Sequence, residues 1–279
     1  MSPHAHGRHP LGQRRVAAII AAHNVGHDVA TTVRSCRAIP GVDLIVVVDD
    51  GSDDDTGHQA RLAGAVVVRH SVPRGRASAR ETGVKVAAMR DRADGPQRLL
   101  LFLSADVGES AVEASTLVEA VMGGDVDCAV AAPVPEEGQR RSLAANLATA
   151  AIRRATGWES RAPLSEMRCF TRDALNTAMP FANGYGLEVG MTIDMLSAGM
   201  SMAELPCSFT HSGADETVGY LNRKQRYADV LWTIANRRLR RVHLPVAQRR
   251  EAARQQVEGH PYPRPASVRD AEPLFEESQ

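Results

Sequence analysis

At 279 residues and 30.0 kDa, with 43% hydrophobic and 24% charged residues, the chain can hold one large α/β domain or two small ones, and it is too apolar for a disordered or fibrous protein. Its 33 basic and 33 acidic residues cancel, so no global basic field argues for a nucleic-acid partner. Cys36, Cys128, Cys169 and Cys207 are scattered with no CxxC pair, which suggests neither a zinc cluster nor a disulfide framework and reads as reduced thiols in a cytoplasmic protein; no run approaches the ~20 apolar residues of a membrane span.

Residues 1–14, rich in His, Pro and Gly, are expected to be a disordered tail. Arg14 and Arg15 before VAAIIAA look like the start of a twin-arginine signal, but the apolar run is short and sits where a first strand is needed, Val16 to Ala22. AHNVGHD follows, then a helix from about Val29 to Arg37. The stretch VDLIVVVDDGSDDDT, Val42 to Thr56, organises what comes next. Leu44 to Val48 are five consecutive apolar residues, as expected of a strand buried on both faces of a parallel sheet. At Asp49 the chain turns acidic, Gly51 permits a tight turn, and a helix begins near Asp54 to Thr56. Ligands bind at the carboxyl ends of such strands, where an acid can accept hydrogen bonds from a base or ribose.

A short strand, Ala65 to Arg69, leads into HSVPRGRASARETG, where Arg74, Arg76 and Arg80 around Gly75 at a helix start suit a diphosphate. A strand from Arg98 to Leu103 ends in SADVGES, which puts Asp106 on the same side of the sheet as Asp49 and Asp50. Ser110 and Glu113 read as a capping box for a helix reaching Met122, and Val126 to Ala131 is a fifth strand. The order βαβαβαβαβ predicts a mostly parallel central sheet with helices on both faces. No G-x-G-x-x-G follows the first strand and no P-loop is present, so neither NAD nor ATP binding is supported.

Further on, the pattern predicts a helix from Leu143 to Ala155, a strand from Met167 to Phe170, a short helix from Arg172 to Ala178, and the loop FANGYGLEVG running into a helix at Leu187 with Glu188 in its first turn. A strand from Met202 to Thr210 delivers His211. A long helix, Thr217 to Arg241, places Val218, Leu221, Val230, Leu231 and Ile234 on its apolar side. From Asn222 to Arg254 there are ten Lys/Arg against two acids, a run that suits a solvated face or peripheral contact with anionic headgroups at the inner face of a membrane. The chain from Gln255 on, with four prolines, is expected to be a disordered tail. Residues 15–131, 132–215 and 216–254 thus divide into a first half, a second half and a basic helical segment.

VAAIIAAHNV, VVDDGSDDDT, RGRASARETG and SAD together resemble the nucleotide-sugar-dependent glycosyltransferases of the GT-A fold, family 2 in particular. GYGLEVG at Gly184 to Gly190 and THSG around His211 are similar to the glucosyl-3-phosphoglycerate synthases. The resemblance implies an α/β GT-A type nucleotide-diphospho-sugar transferase fold whose first half binds the donor and whose second half meets the acceptor. It implies donor contacts from Ala22, Asn24, Asp49, Asp50, Gly51, Ser52, Arg74, Gly75, Arg76, Arg80 and Ala105, a divalent metal, Mg²⁺ or Mn²⁺, on Asp106 and His211, and Glu188 as the catalytic residue toward sugar or acceptor. Val25 and Ser104 stand where the family pattern has acids.

The activity so implied is transfer of a sugar, glucose first, from a UDP-sugar to an acceptor that is either a small anionic molecule or a polyprenyl phosphate. Inversion and retention both stay open, as does a homodimer. The alternative is a degenerate protein that binds a nucleotide sugar and signals to a partner, for which Val25 and Ser104 are the motive.

Overall fold

The computed structural model describes residues 15–91, 95–134, 141–211 and 220–263. The two expected tails, apart from residues 255–263, lie outside the described residues, as does Val218. One seven-stranded sheet forms the frame, built from β1 (Val16–Ala22), β2 (Val42–Asp49), β3 (Val66–Arg69), β4 (Leu99–Ser104), β5 (Cys128–Ala132), β6 (Arg168–Phe170) and β7 (Met202–Pro206). They lie in the order β3-β2-β1-β4-β6-β5-β7. β3, β2, β1 and β4 run parallel, β6 runs antiparallel to both β4 and β5, and β7 is parallel to β5.

The apolar runs are strands because both their faces are covered. Alternate residues of β1 enter two separate cores: Val16, Ala18 and Ile20 on one side, Ala17 and Ile19 on the other. The first core takes α1 (Asp28–Ser35), α2 (Thr56–Leu62) and α4 (Ser115–Gly123). The second takes α3 (Arg76–Met89), α5 (Leu143–Thr156), α6 (Arg172–Thr177), α7 (Leu187–Ser197) and, through Val230, α8 (Tyr220–Leu239). A ninth helix, α9 (Val246–Arg254), follows. All four cysteines are free and buried, and burial pushes the Cys36, Cys128 and Cys207 thiols up to about 12. Among the described residues no helix is long and apolar enough to cross a membrane.

Several local expectations are corrected. Ser110 and Glu113 do not cap a helix: a 3-10 segment runs from Gly108 to Ala114, where the Ser110 hydroxyl donates to Val107 O (2.6 Å) and accepts from Thr210 N (3.0 Å). Glu113 accepts from Ser208 N (3.4 Å), so both residues fasten the strap that follows β7. β7 ends at Pro206 rather than Thr210, since Cys207 makes the last ladder bond, to Ala132 O, and the chain then turns to that strap.

Leu231 of α8 is 43% exposed instead of lying on the apolar side, and Arg237 of the basic run is buried against Asp194 (2.6 Å) rather than solvated. Residues 255–263 are packed, not a tail. Tyr262 is buried, stacks on Trp158 with centroids 5.8 Å apart, donates to Thr156 O (2.8 Å) and exchanges backbone hydrogen bonds with Met202. The stacked ring, its hydroxyl bond and the two backbone bonds to Met202 each contribute against the entropy of ordering this segment.

Candidate active site

The parallel strands β1, β2 and β4 end together at Ala22, Asp49 and Ser104, and their turns form one rim. Because β6 is antiparallel, with Arg168 opposite Phe102, the residues just before it, including Glu166, reach the same rim. β7 ends there too and leads to His211.

The first two turns are stitched to each other. Asn24 takes φ +51°, a left-handed conformation that asparagine tolerates; its N–H donates to Ser52 Oγ (3.0 Å) and its Oδ1 accepts from Asp53 N (2.8 Å). Ala22 O accepts from Asp50 N (2.8 Å). Gly51, at φ +72°, lies so close to Pro73 that a Cβ would stand 2.8 Å from its nitrogen. The acidic turn thereby seats the arginine-bearing loop.

Asp50 does the fastening. Its Oδ1 accepts from Arg74 N (2.9 Å) and pairs with His70 Nδ1 (2.6 Å), and its Oδ2 accepts from Gly75 N (2.7 Å). Burial opposes its charge, but the hydrogen bonds from Arg74, His70 and Gly75 hold the carboxyl below its ordinary range. Asp49 is fully buried: its Oδ1 accepts from Ser52 N (2.8 Å), while Oδ2 has no hydrogen-bond partner and lies 3.7 Å from Arg69 Nε.

These placements revise the expected donor contacts. Asp49, Ser52, Ala22 and Ala105 are buried framework; Ser52 Oγ serves Asn24, and Ala105 O serves Thr32 (2.8 Å). Both Asp50 carboxylate oxygens are spent on the loop. Asn24, Arg74 and Gly75 are exposed, Gly51 is half-buried, and exposed His23 joins them, its Nδ1 3.0 Å from Asp50 O. The AHN turn carries His23, yet a histidine at a strand end gives no signal that it faces a ligand.

The three arginines do not form one cradle. Arg80 is 1% exposed and points inward to Glu188 Oε1 (3.0 Å) and Glu166 Oε2 (3.1 Å). Arg76 bridges the same two acids, at 2.6 Å to Glu166 and 2.9 Å to Glu188. Burial and the neighbouring Arg76 lower the Arg80 pKa, whereas the two carboxylates raise that of Arg76 against its own burial. Burial likewise disfavours the charge on Glu166, but Arg76 and Arg80 outweigh it and hold that carboxyl low. Glu188, in the first turn of α7, is 1% exposed and both its oxygens accept guanidinium N–H bonds. Glu166, 23% exposed, is the acid of this quartet that faces outward, and the sequence offered no motif for it.

Asp106 and His211 meet as expected, Oδ1 to Nδ1 at 3.0 Å, both partly exposed at 24% and 40%. Ser104 Oγ donates to the same Asp106 oxygen (2.6 Å). Burial works against the Asp106 charge, yet His211 and Ser104 hold its carboxyl low; the bond to Asp106 in turn raises the His211 pKa against partial burial. Glu166 lies near enough to couple to both: the Asp106 charge works to raise the Glu166 pKa, and Glu166 helps to raise that of His211. One carboxylate and one imidazole, both partly open to solvent on the rim, are a donor set that fits a divalent cation. Among the described residues no third His, Cys, Asp or Glu completes a protein-only cage.

A family model described as glycosyl transferase family 2 matches residues 17–180, more than half of the chain. Among solved structures, glucosyl-3-phosphoglycerate synthase of Mycobacterium tuberculosis in complex with phosphoglyceric acid is 25% identical, with a TM-score of 0.59 over 80% of this chain and 81% of that one. The same synthase in complex with Mn²⁺, UDP and glucosyl-3-phosphoglycerate is 23% identical, with a TM-score of 0.60 over 80% of this chain and 81% of that one. An uncharacterized protein of Methanocaldococcus jannaschii is 24% identical over 133 residues, 48% of this chain. Those residues are 52% of that protein, so the chain spans about half the length of the curated relative it matches.

Proposed function

The chain belongs to glycosyl transferase family 2, and from that premise we propose that it is a metal-dependent enzyme that moves glucose from UDP-glucose to a small acceptor carrying an anionic group. The observation that carries the proposal is the meeting of Asp106 with His211 beside the stitched AHN and DDGS turns. The synthases of similar fold, which bind UDP with Mn²⁺ or Mg²⁺ and also phosphoglyceric acid, support the donor, the metal and an anionic acceptor.

In this reading Asp106 and His211 hold Mg²⁺ or Mn²⁺, which when bound neutralises the charge that builds up on the departing diphosphate. Asn24, Gly51 and the backbone of Arg74 and Gly75 shape the donor side, with Asp50 and Asp49 holding those turns rather than touching the nucleotide. Arg74, exposed at the start of α3, faces the diphosphate and lowers the cost of its charge. Glu188 remains the residue proposed to address the sugar or acceptor. Its two guanidinium partners fix its direction and make it a holder of a hydroxyl in place rather than a mobile proton acceptor. Glu166, facing outward, is the acid of the two that can meet the acceptor, and the same two guanidinium groups hold it as a charged hydrogen-bond acceptor.

The test is a thermal-shift screen of UDP, GDP, ADP and CMP, each with Mn²⁺ or with EDTA, on wild type and Asp106→Ala. A millimolar ligand that exceeds its Kd a hundredfold stabilises by about 2.7 kcal/mol, which is easily read. A shift confined to UDP with metal, lost in Asp106→Ala, is the expected outcome; no shift with any nucleotide refutes the proposal. The degenerate reading, favoured by Ser104 at the first position of SAD, is separated by turnover, since it binds UDP without releasing it from UDP-glucose.

A further inference from the structure

We infer that Arg226, with Arg76 beside the ring of Tyr185, receives the anionic group of the acceptor, a phosphate or carboxylate. This rests on the proposed transfer to an anionic acceptor and names the side chain that reads its charge.

Tyr185 sits in the 3-10 turn Gly184–Gly186 that leads into α7. Two guanidinium carbons approach its ring, Arg226 at 4.8 Å and Arg76 at 5.9 Å from the centroid. Their situations differ. Arg76 comes from α3 and already holds Glu166 and Glu188. Arg226 comes from α8, the helix entered after His211, and no ion pair joins it to a carboxylate among the described residues. Asp229, one turn on, uses its carboxylate to accept from Tyr185 N (3.1 Å) and makes no ion pair with Arg226. Arg226 Nε is buried and has no hydrogen-bond acceptor.

A buried guanidinium N–H without an acceptor is unfavourable, and an aromatic face compensates the charge without satisfying the donor. The guanidinium, half-buried against Tyr185 and joined to no carboxylate among the described residues, is left to pair with an anionic oxygen from outside the fold. Its position ties it to the candidate site: Arg76 approaches the same Tyr185 ring and pairs with Glu166, which feels the Asp106 charge and acts on His211. The planar fork of arginine suits the oxygens of a phosphate or carboxylate, and the Tyr185 face supports that fork. The same chemistry is offered by the diphosphate of the donor, so the two sources must be told apart.

The experiment is calorimetric titration of phosphoglyceric acid, of inorganic phosphate and of UDP with Mn²⁺ into wild type, Arg226→Gln, Arg226→Lys and, as an exposed control on the same helix, Arg238→Gln. Loss of one charge-assisted contact weakens binding by about tenfold to a hundredfold. Arg226→Gln should lose that much for phosphoglyceric acid, Arg226→Lys should recover part of it, Arg238→Gln should match wild type, and UDP should bind all four equally. Unchanged phosphoglyceric acid affinity in Arg226→Gln overturns the inference, as does an equal or greater loss for UDP, which would make Arg226 a donor contact. Wild type that binds UDP but neither anion also overturns it. Arg226-dependent binding of phosphoglyceric acid without any UDP binding keeps this site and refutes the donor reading instead.

Discussion

Replacing Arg80 by methionine tests whether the four charges under the rim are a buried unit. Arg80 is 1% exposed and pairs with Glu188, also 1% exposed, at 3.0 Å and with Glu166 at 3.1 Å. Its removal leaves Arg76 alone against two carboxylates. Removing one partner of a buried ion pair costs about 3–5 kcal/mol, because the other charge stays desolvated without compensation. The thioether returns about 1 kcal/mol of apolar burial against Phe102, whose ring lies 5.0 Å from the guanidinium carbon. The net loss is then about 2–4 kcal/mol, or a fall in Tm of roughly 5–15 °C for a chain of this size.

Urea unfolding followed by circular dichroism reads the free energy, and a second variant tests the cause. Arg80→Met combined with Glu188→Gln removes one charge of each sign and leaves Arg76 to pair with Glu166. The double variant should lose at least about 1 kcal/mol less than the two single losses added, the signature of side chains in one network. A loss under about 1 kcal/mol for Arg80→Met, the size expected of a screened surface pair, refutes the reasoning. Additive losses refute it equally, since they would mean the four groups act independently.

The Asp50 carboxyl lies below its ordinary value of 3.8 in the folded chain, so it stabilises the fold fully above that value and loses its contribution as pH falls through the lower folded one. The stability difference between wild type and Asp50→Asn should therefore be flat above about pH 5 and shrink on acidification below pH 4; a difference that grows as pH falls contradicts the assignment. Gly186 packs where a Cβ would collide with Thr233 Oγ1 and lie 2.7 Å from Asp229 O, a backbone atom that cannot step aside. Gly186→Ala should cost about 1–3 kcal/mol in urea unfolding by forcing α8 away from the start of α7, and a variant as stable as wild type removes the close approach from the account.

What the sequence made legible is what repeats or lies close along the chain. Leu44 to Val48 and Leu99 to Leu103 read as doubly buried strands because nothing polar interrupts them, and both are. Asp106 and His211 were paired through their motifs, and they meet. The failures share one physical cause, a partner distant in sequence. Ser110 and Glu113 have the spacing of a capping box, but the strap after β7 claims both. Asp49 has the look of a ligand contact, but it is fully buried, its Oδ1 taken by Ser52 N and its Oδ2 close against Gly57 of α2. Glu166 lacks a motif because its place depends on β6 running against β4, a reversal no local pattern announces. Tyr262 sits among prolines, and only its distant neighbours Trp158 and Thr156 make that segment part of the fold.

The arginines that looked like a phosphate cradle give the site a different kind of order. Asp50 fixes the backbone of Arg74 and Gly75, and Gly75 leads directly into α3. One turn apart on that helix, Arg76 and Arg80 grip Glu166 from the segment before β6 and Glu188 from α7. The acidic turn of the first half and the carboxylates of the second are thus joined through a single rigid helix, with no flexible link between them. A shift of Glu188 relative to the turn would have to break its pair with Arg80, both 1% exposed, where an ion pair is hardest to break. A transferase needs the reacting atoms of donor and acceptor held about 3–3.5 Å apart. In this chain α3, through two arginines set one helical turn apart, ties Glu166 and Glu188 to the turn that Asp50 fastens, and so joins the two sides of the proposed site.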